Sequence, residues 1–274
     1  MNRIWLIVTP ASGSTSEAVV ADFDRAAAAL GLEQVGRTTL PADELPDGTM
    51  LTASGCDTLI VFGGDGTINA ATTRVDDWPG ECLVLPGGTM NMLPKQLHGD
   101  AEWNAILAAA GQAETVTLPV AAAGDNRAMC GVIAGPASAW VHARERVREG
   151  AWGRVIGAAI YAARKMVART IRVHGVPGHD GRRRAVILTP SEHGLEIASI
   201  STSSWFEAAR IGWKWVMGAW RSDPGVDISV ASEVMLSGRR TVSALFDGEP
   251  VKLPSPVIIR AGHTRLRFIR TVPA

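Results

Sequence analysis

Two short apolar runs, residues 58–62 and 82–85, each empty into a glycine-rich turn and then a helix-like start, and this repeated device restricts the fold more than anything else in the chain. The first turn reads Gly63-Gly64-Asp65-Gly66-Thr67 and the second Pro86-Gly87-Gly88-Thr89. Strand, turn and helix in succession make half of a strand-helix-strand unit, and repeated units stack their strands into a parallel sheet. Glycine in such turns is expected to take up positive φ and to let an anion approach the backbone N–H groups, which attract phosphate at a helix start.

The same alternation begins upstream. An apolar run at 4–8 leads into a loop at 9–14, an alanine-rich helix over about 16–30 and a second apolar run near 34–38. Ligands of parallel sheets gather at the carboxyl ends of the strands, so the three loops after 8, 62 and 85 are expected to share one rim. From about Leu118 the pattern changes to a strand-like segment at 128–134, two arginine-studded helices between about 137 and 169, and then short runs. These lie at 185–188, 195–200, 226–230, 241–246, 257–260 and 266–269, with turn residues between them, which suits an antiparallel sandwich. The expected fold is an α/β amino-terminal nucleotide-binding domain with a parallel sheet over 1–120, followed by a carboxyl-terminal antiparallel β-sandwich domain over 121–274. The last residues are free to pack back on the first domain.

Composition narrows the function. With 27 basic against 27 acidic residues in 274, the chain lacks the electrostatic character of a protein that grips nucleic acid. Cys56, Cys82 and Cys130 are odd in number, far apart and set in apolar context, as free thiols of a reducing compartment are. The apolar run at 4–8 is too short for a signal peptide, and Arg154, Arg164 and Lys165 interrupt the best candidate for a membrane span, so a cytoplasmic protein is expected. The six histidines are scattered without the spacing of metal ligands.

Taken singly, each motif is ambiguous. The first glycine turn lacks the Gly-Lys-Ser/Thr ending of a P-loop, and Asn69 stands where a dinucleotide fingerprint wants its last glycine or alanine. Asp65 is informative because a carboxylate in a phosphate-shaped loop serves a divalent cation or a cationic partner. Thr89 and Asn91 in the second turn can hydrogen-bond anionic oxygens or a ribose. A third element, Asp247-Gly248-Glu249, follows an apolar run and by itself reads as a hairpin turn.

The ordered set, Thr9-Pro10-Ala11-Ser12-Gly13, then Gly63 to Asn69, then Leu85-Pro86-Gly87-Gly88-Thr89-Met90-Asn91, then Asp247-Gly248-Glu249, resembles the diacylglycerol kinase catalytic-domain family, its bacterial lipid kinase members above all. The resemblance implies an ATP- and Mg2+-dependent kinase with its ATP site in the cleft between the domains, transferring the γ-phosphate to a lipid hydroxyl, most naturally of diacylglycerol. It implies nucleotide contacts from Thr9, Ser12, Thr38 (Thr39 if the register slips by one), Gly63, Gly64, Asp65, Gly66, Thr67, Asn69, Gly87, Gly88, Thr89 and Asn91. Asp65 would serve the Mg-ATP complex, and Asp247 or Glu249 would be the general base, so Asp65→Asn and Asp247→Asn are each expected to abolish turnover. A lipid substrate implies transient contact with the inner membrane surface, for which 151–169 and 205–220 offer tryptophan beside basic residues.

The chain departs from the family pattern in three places. Thr9 replaces the usual asparagine, Met92 follows Asn91 where most members carry aspartate, and Ser191-Glu192-His193-Gly194 stands in place of an acidic metal loop. These substitutions keep open a catalytically weak relative that acts by binding nucleotide or lipid. An NAD kinase-like enzyme is the alternative suggested by the Gly-Gly-Asp-Gly sequence alone.

Overall fold

The structure, a computed structural model, describes residues 1–10, 15–135, 170–200 and 226–272. The chain divides into two compact units, Met1–Leu118 with His263–Ala274, and Pro119–Gly262.

The first unit runs β1 (Arg3–Val8), α1 (Glu17–Ala29), β2 (Glu33–Thr39), α2 (Gly48–Ala53), β3 (Thr58–Gly63), α3 (Asp65–Arg74), β4 (Glu81–Pro86), α4 (Met92–His98), α5 (Trp103–Ala109) and β5 (Glu114–Val116). Every residue of β3 is buried, the mark of a central parallel strand covered on both faces. α1 starts where its sequence says it should: the Ser16 side chain accepts from Val19 N–H, and Val20, Phe23 and Ala27 bury one stripe. α2 is started in the same way by Asp47, which accepts from Met50 N–H. Phe23 of α1, Phe62 of β3 and Trp103 of α5 meet as tilted rings with centroids 5.9–6.2 Å apart, pinning the strand immediately ahead of Gly63.

The second unit contains β6 (Pro119–Ala123), β7 (Asn126–Ala128), β8 (Val132–Ala134), β9 (Ile171–His174), β10 (Gly181–Arg183), β11 (Ala185–Ser191), β12 (Gly194–Ile200), β13 (Val226–Ala231), β14 (Glu233–Ser237), β15 (Thr241–Phe246), β16 (Glu249–Pro254) and β17 (Val257–His263). They form two six-stranded sheets, ordered β10-β9-β14-β17-β6-β7 and β13-β12-β11-β8-β15-β16, with antiparallel ladders such as β11/β12 and β15/β16. Alternate residues of both sheets, among them Val173, Leu236 and Ile259 of one and Leu188, Ile197 and Phe246 of the other, share a single core, as in a sandwich. The single strand expected over 128–134 is two, β7 and β8, because the backbone between them turns aside to serve a carboxylate described below.

After β17 the chain returns to the first unit with β18 (Arg267–Arg270), giving the sheet order β2-β1-β3-β4-β18-β5. β1, β2, β3, β4 and β18 pair in parallel and β5 alone is antiparallel. The expected fold class holds: an α/β domain on a mostly parallel sheet, then antiparallel sheets. The two tryptophan-bearing segments at 151–169 and 205–220 lie outside the described residues. Among the described residues, no helix is long and apolar enough to cross a membrane.

Candidate active site

The chain passes from β1 to β2 on one side and to β3 and β4 on the other, so the connection reverses between β1 and β3. In an open α/β sheet the crevice at such a reversal, outside the carboxyl ends of the strands, is where ligands bind. Thr9 follows β1 and Thr67 stands in the first turn of α3 after β3, and their hydroxyls are 3.3 Å apart across that crevice. Thr15, fully buried, donates its hydroxyl to the Thr9 carbonyl at 2.7 Å and stabilises the end of β1. Sequence reasoning passed over Thr15, since nothing local distinguishes it. Of the other loop residues named from sequence, Ser12 lies outside the described residues.

The two glycine turns lie on adjacent strands and touch backbone to backbone. Gly87 N–H donates to the Gly63 carbonyl at 3.1 Å. A Cβ on Gly87 would stand 2.8 Å from Gly63 Cα and N, and one on Gly88 would stand 2.7 Å from Gly64 Cα. None of Gly63, Gly64, Gly66, Gly87 or Gly88 has the positive φ expected of them. Gly64 is extended (φ −82°, ψ 169°) as the cap of α3, and Asp65 and Gly66 already belong to that helix. Gly87 and Gly88 are required by close approach of two main chains, not by left-handed turns, whereas a Cβ on Gly63 would crowd the Thr67 and Thr9 side chains and one on Gly64 would make an ordinary contact. α3 opens without a side-chain cap, so the amino end of a ten-residue helix faces the rim bare of one.

The second loop ends at Asn91, which is left-handed (φ 49°, ψ 47°) and caps α4 at Met92. The Asn91 side chain accepts from Gly88 N–H at 2.7 Å, holding the loop closed. Thr89 between them is exposed. Asp65 is half-buried and its Oδ1 accepts from Leu93 N–H at 3.3 Å. Burial pushes its carboxyl above the ordinary carboxylate range, while the backbone N–H groups of Leu93, Met92 and Asn91 pull it back. Asn69, on α3, accepts from the Thr73 hydroxyl through its own side-chain oxygen. Thr38 is 2% exposed and its hydroxyl accepts from the Trp5 indole at 3.0 Å, with the indole lying over Gly36. Its neighbour Thr39 ends β2, level with Val8 and hence beside the rim.

In the second unit, Asp247 and Gly248 form the two-residue turn between β15 and β16, with φ 49° and 92°, as a type I′ hairpin requires. Asp247 is 8% exposed as a residue, and its carboxylate accepts three backbone N–H groups, from Met129 at 2.7 Å, Cys130 at 2.8 Å and Gly131 at 2.9 Å. Its own N–H donates to the Gly131 carbonyl at 3.0 Å. This exchange is what breaks the chain between β7 and β8. Glu249, two residues on, is exposed at the start of β16. Residues 191–194 make a tight hairpin joining β11 to β12, with Ser191 Oγ donating to the Gly194 carbonyl. Among the described residues no group of three or more His, Cys, Asp or Glu side chains is placed to hold a metal ion.

The residues from β1 through β6 supply both glycine turns, and a family model fits that stretch. Residues 3–123 match the diacylglycerol kinase catalytic domain. The resemblance expected from the motif order therefore stands, and the matched diacylglycerol kinase catalytic-domain segment contains Thr9, Asp65 and Asn91 but ends well before Asp247. A diacylglycerol kinase structure from Bacillus anthracis superposes with a TM-score of 0.66 at 17% identity, over 98% of this chain and 97% of that one. Two further structures from the same organism superpose with TM-scores of 0.66 and 0.65, both at 18% identity and with the same coverage. At such identity the superpositions show a shared fold. No curated protein matches the chain.

Proposed function

We propose that this protein is an ATP-dependent lipid kinase that transfers the γ-phosphate of ATP to a lipid hydroxyl, with diacylglycerol or a related lipid as acceptor. The observation that carries the reading is the contact of the two glycine turns. Gly63 and Gly87 bring their main chains together on adjacent strands beside the bare amino end of α3, inside the segment that matches the diacylglycerol kinase catalytic domain. A cradle with no Cβ atoms suits a polyphosphate, whose oxygens need close access to N–H groups.

In this reading Gly63, Gly64 and Gly66 with Thr67 approach the nucleotide phosphates, Gly87, Gly88 and Thr89 close the cradle, and Thr9 and Thr39 border it. Thr39 replaces Thr38, whose hydroxyl is committed to Trp5. Magnesium brought with the nucleotide would neutralise phosphate charge as the bond to the leaving ADP breaks. Glu249 is the general base: it takes the proton of the acceptor hydroxyl as that oxygen bonds to the γ-phosphorus. Asp247 is the weaker candidate, because its oxygens already accept three backbone N–H groups. Diacylglycerol micelles with ATP and magnesium should yield phosphatidic acid. No phosphorylation across a broad lipid panel and a total lipid extract, with labelled ATP, would defeat the proposal.

One observation favours a second reading, a relative that binds nucleotide with little turnover. Met92 leaves the first turn of α4 without an acidic residue. ATP binding by calorimetry without labelled product would select it.

A further inference from the structure

α4 begins in an unusual way. Its capping residue, Asn91, makes no side-chain hydrogen bond to the helix because that side chain is used on Gly88 N–H, and its first turn has no acidic residue. A helix start left so would expose donors with nothing to receive them. The acceptor comes from 28 residues upstream in sequence: Asp65 Oδ1 takes the Leu93 N–H. Asp65 is itself the first residue of α3, directly after Gly64. One carboxylate therefore belongs to the first glycine turn by sequence and to the second by hydrogen bonding.

We propose that Asp65 is a positioning residue, whose carboxylate latches the start of α4 and the 86–91 turn onto the first glycine turn. The latch complements the contacts of Gly87 on Gly63 and Gly88 on Gly64, which align the turns at one end, and the bond from Gly88 N–H to the Asn91 side chain, which closes the second turn on itself. Met92 gives the arrangement its force in this chain, since an aspartate at that position would supply the negative group from within α4. Loss of the latch loosens the cradle and weakens nucleotide binding, whereas a residue that held magnesium would set the metal requirement. The activity arm of this inference rests on the kinase reading, and its structural arm does not.

The test compares Asp65→Ala, Asp65→Asn and the double variant Asp65→Ala with Met92→Asp. In the protein without nucleotide, Asp65→Ala should raise amide exchange at Leu93 and through 87–91 by about tenfold or more, with exchange in β3 unchanged. Asparagine retains an acceptor oxygen, so Asp65→Asn should keep protection within about threefold of the parent, and Met92→Asp should restore part of what alanine loses. With ATP, Asp65→Ala should raise KM about tenfold with a smaller change in kcat, while the magnesium concentration for half-activation stays put in all variants. Unchanged exchange in Asp65→Ala overturns the proposal. So does a magnesium midpoint displaced about tenfold in Asp65→Asn with protection retained, which would make Asp65 a metal-side residue. If ATP does not bind at all, the kinase reading fails and the exchange measurement still decides the latch.

Discussion

Gly87 N–H donates to the Gly63 carbonyl at 3.1 Å, and between the two residues there is no space for a methyl group. Adjacent parallel strands bring their ends level, and glycine at position 87 lets the turns that follow continue in contact.

Gly87→Ala should therefore be destabilising, because its Cβ would meet main-chain atoms that cannot rotate away. A loss of about 1–3 kcal/mol by calorimetry is expected, together with loss of nucleotide binding. Gly64→Ala is the contrast: its Cβ would find Gly88 Cα at 3.6 Å, an ordinary contact, so stability should change by less than about 1 kcal/mol. Equal destabilisation by the two would contradict the packing account.

Asp247 and Glu249 should separate stability from turnover. Asp247→Ala strands three backbone N–H groups of 129–131 and should cost about 2–4 kcal/mol in denaturant unfolding. Glu249→Gln, on an exposed side chain, should change stability by less than about 0.5 kcal/mol and lower kcat by about 10²–10⁴. A fully active Glu249→Gln removes it as the base.

His98 should make the first unit acid-sensitive. It is buried at the end of α4 with Nδ1 3.0 Å from the Thr271 hydroxyl, and burial lowers its pKa from 6.5 to about 4. Between those values the unfolded chain holds a proton that the folded chain refuses, so the unfolded state gains as pH falls. Stability contributed by neutral His98 is intact above pH 6.5 and is lost progressively toward pH 4. Melting curves from pH 7.5 to 4.5 should show the decline, and His98→Gln should flatten it.

The thiols should be slow in the native state. Burial raises Cys56 to about 11 and pushes Cys82 higher still, so neither forms thiolate near neutrality. A thiol reagent at pH 8 should find at most one fast group, Cys130, and all three of the chain's cysteines after denaturation. Rapid reaction of two or more in native protein would contradict this burial.

The sequence by itself determined the core strands of the first unit, the helix after β1 and the succession of glycine turns, because each is specified by neighbours a few residues apart; it did not mark α2, α5, β9 or β14. The apolar run at 58–62, the Ser16 cap and the Asp247-Gly248 turn are of this kind. Tertiary structure alone decided the use of these parts, through contacts between residues remote in sequence. Gly63 and Gly87 read as flexible turn residues and prove to be sites of close approach, a distance no local pattern encodes. Asp65 reads as a phosphate-loop carboxylate and accepts from Leu93, while Asp247 reads as base or turn and gathers N–H groups from 129–131, more than a hundred residues away. A carboxylate's sequence position says that it can accept a hydrogen bond, and only the folded backbone says from which donor.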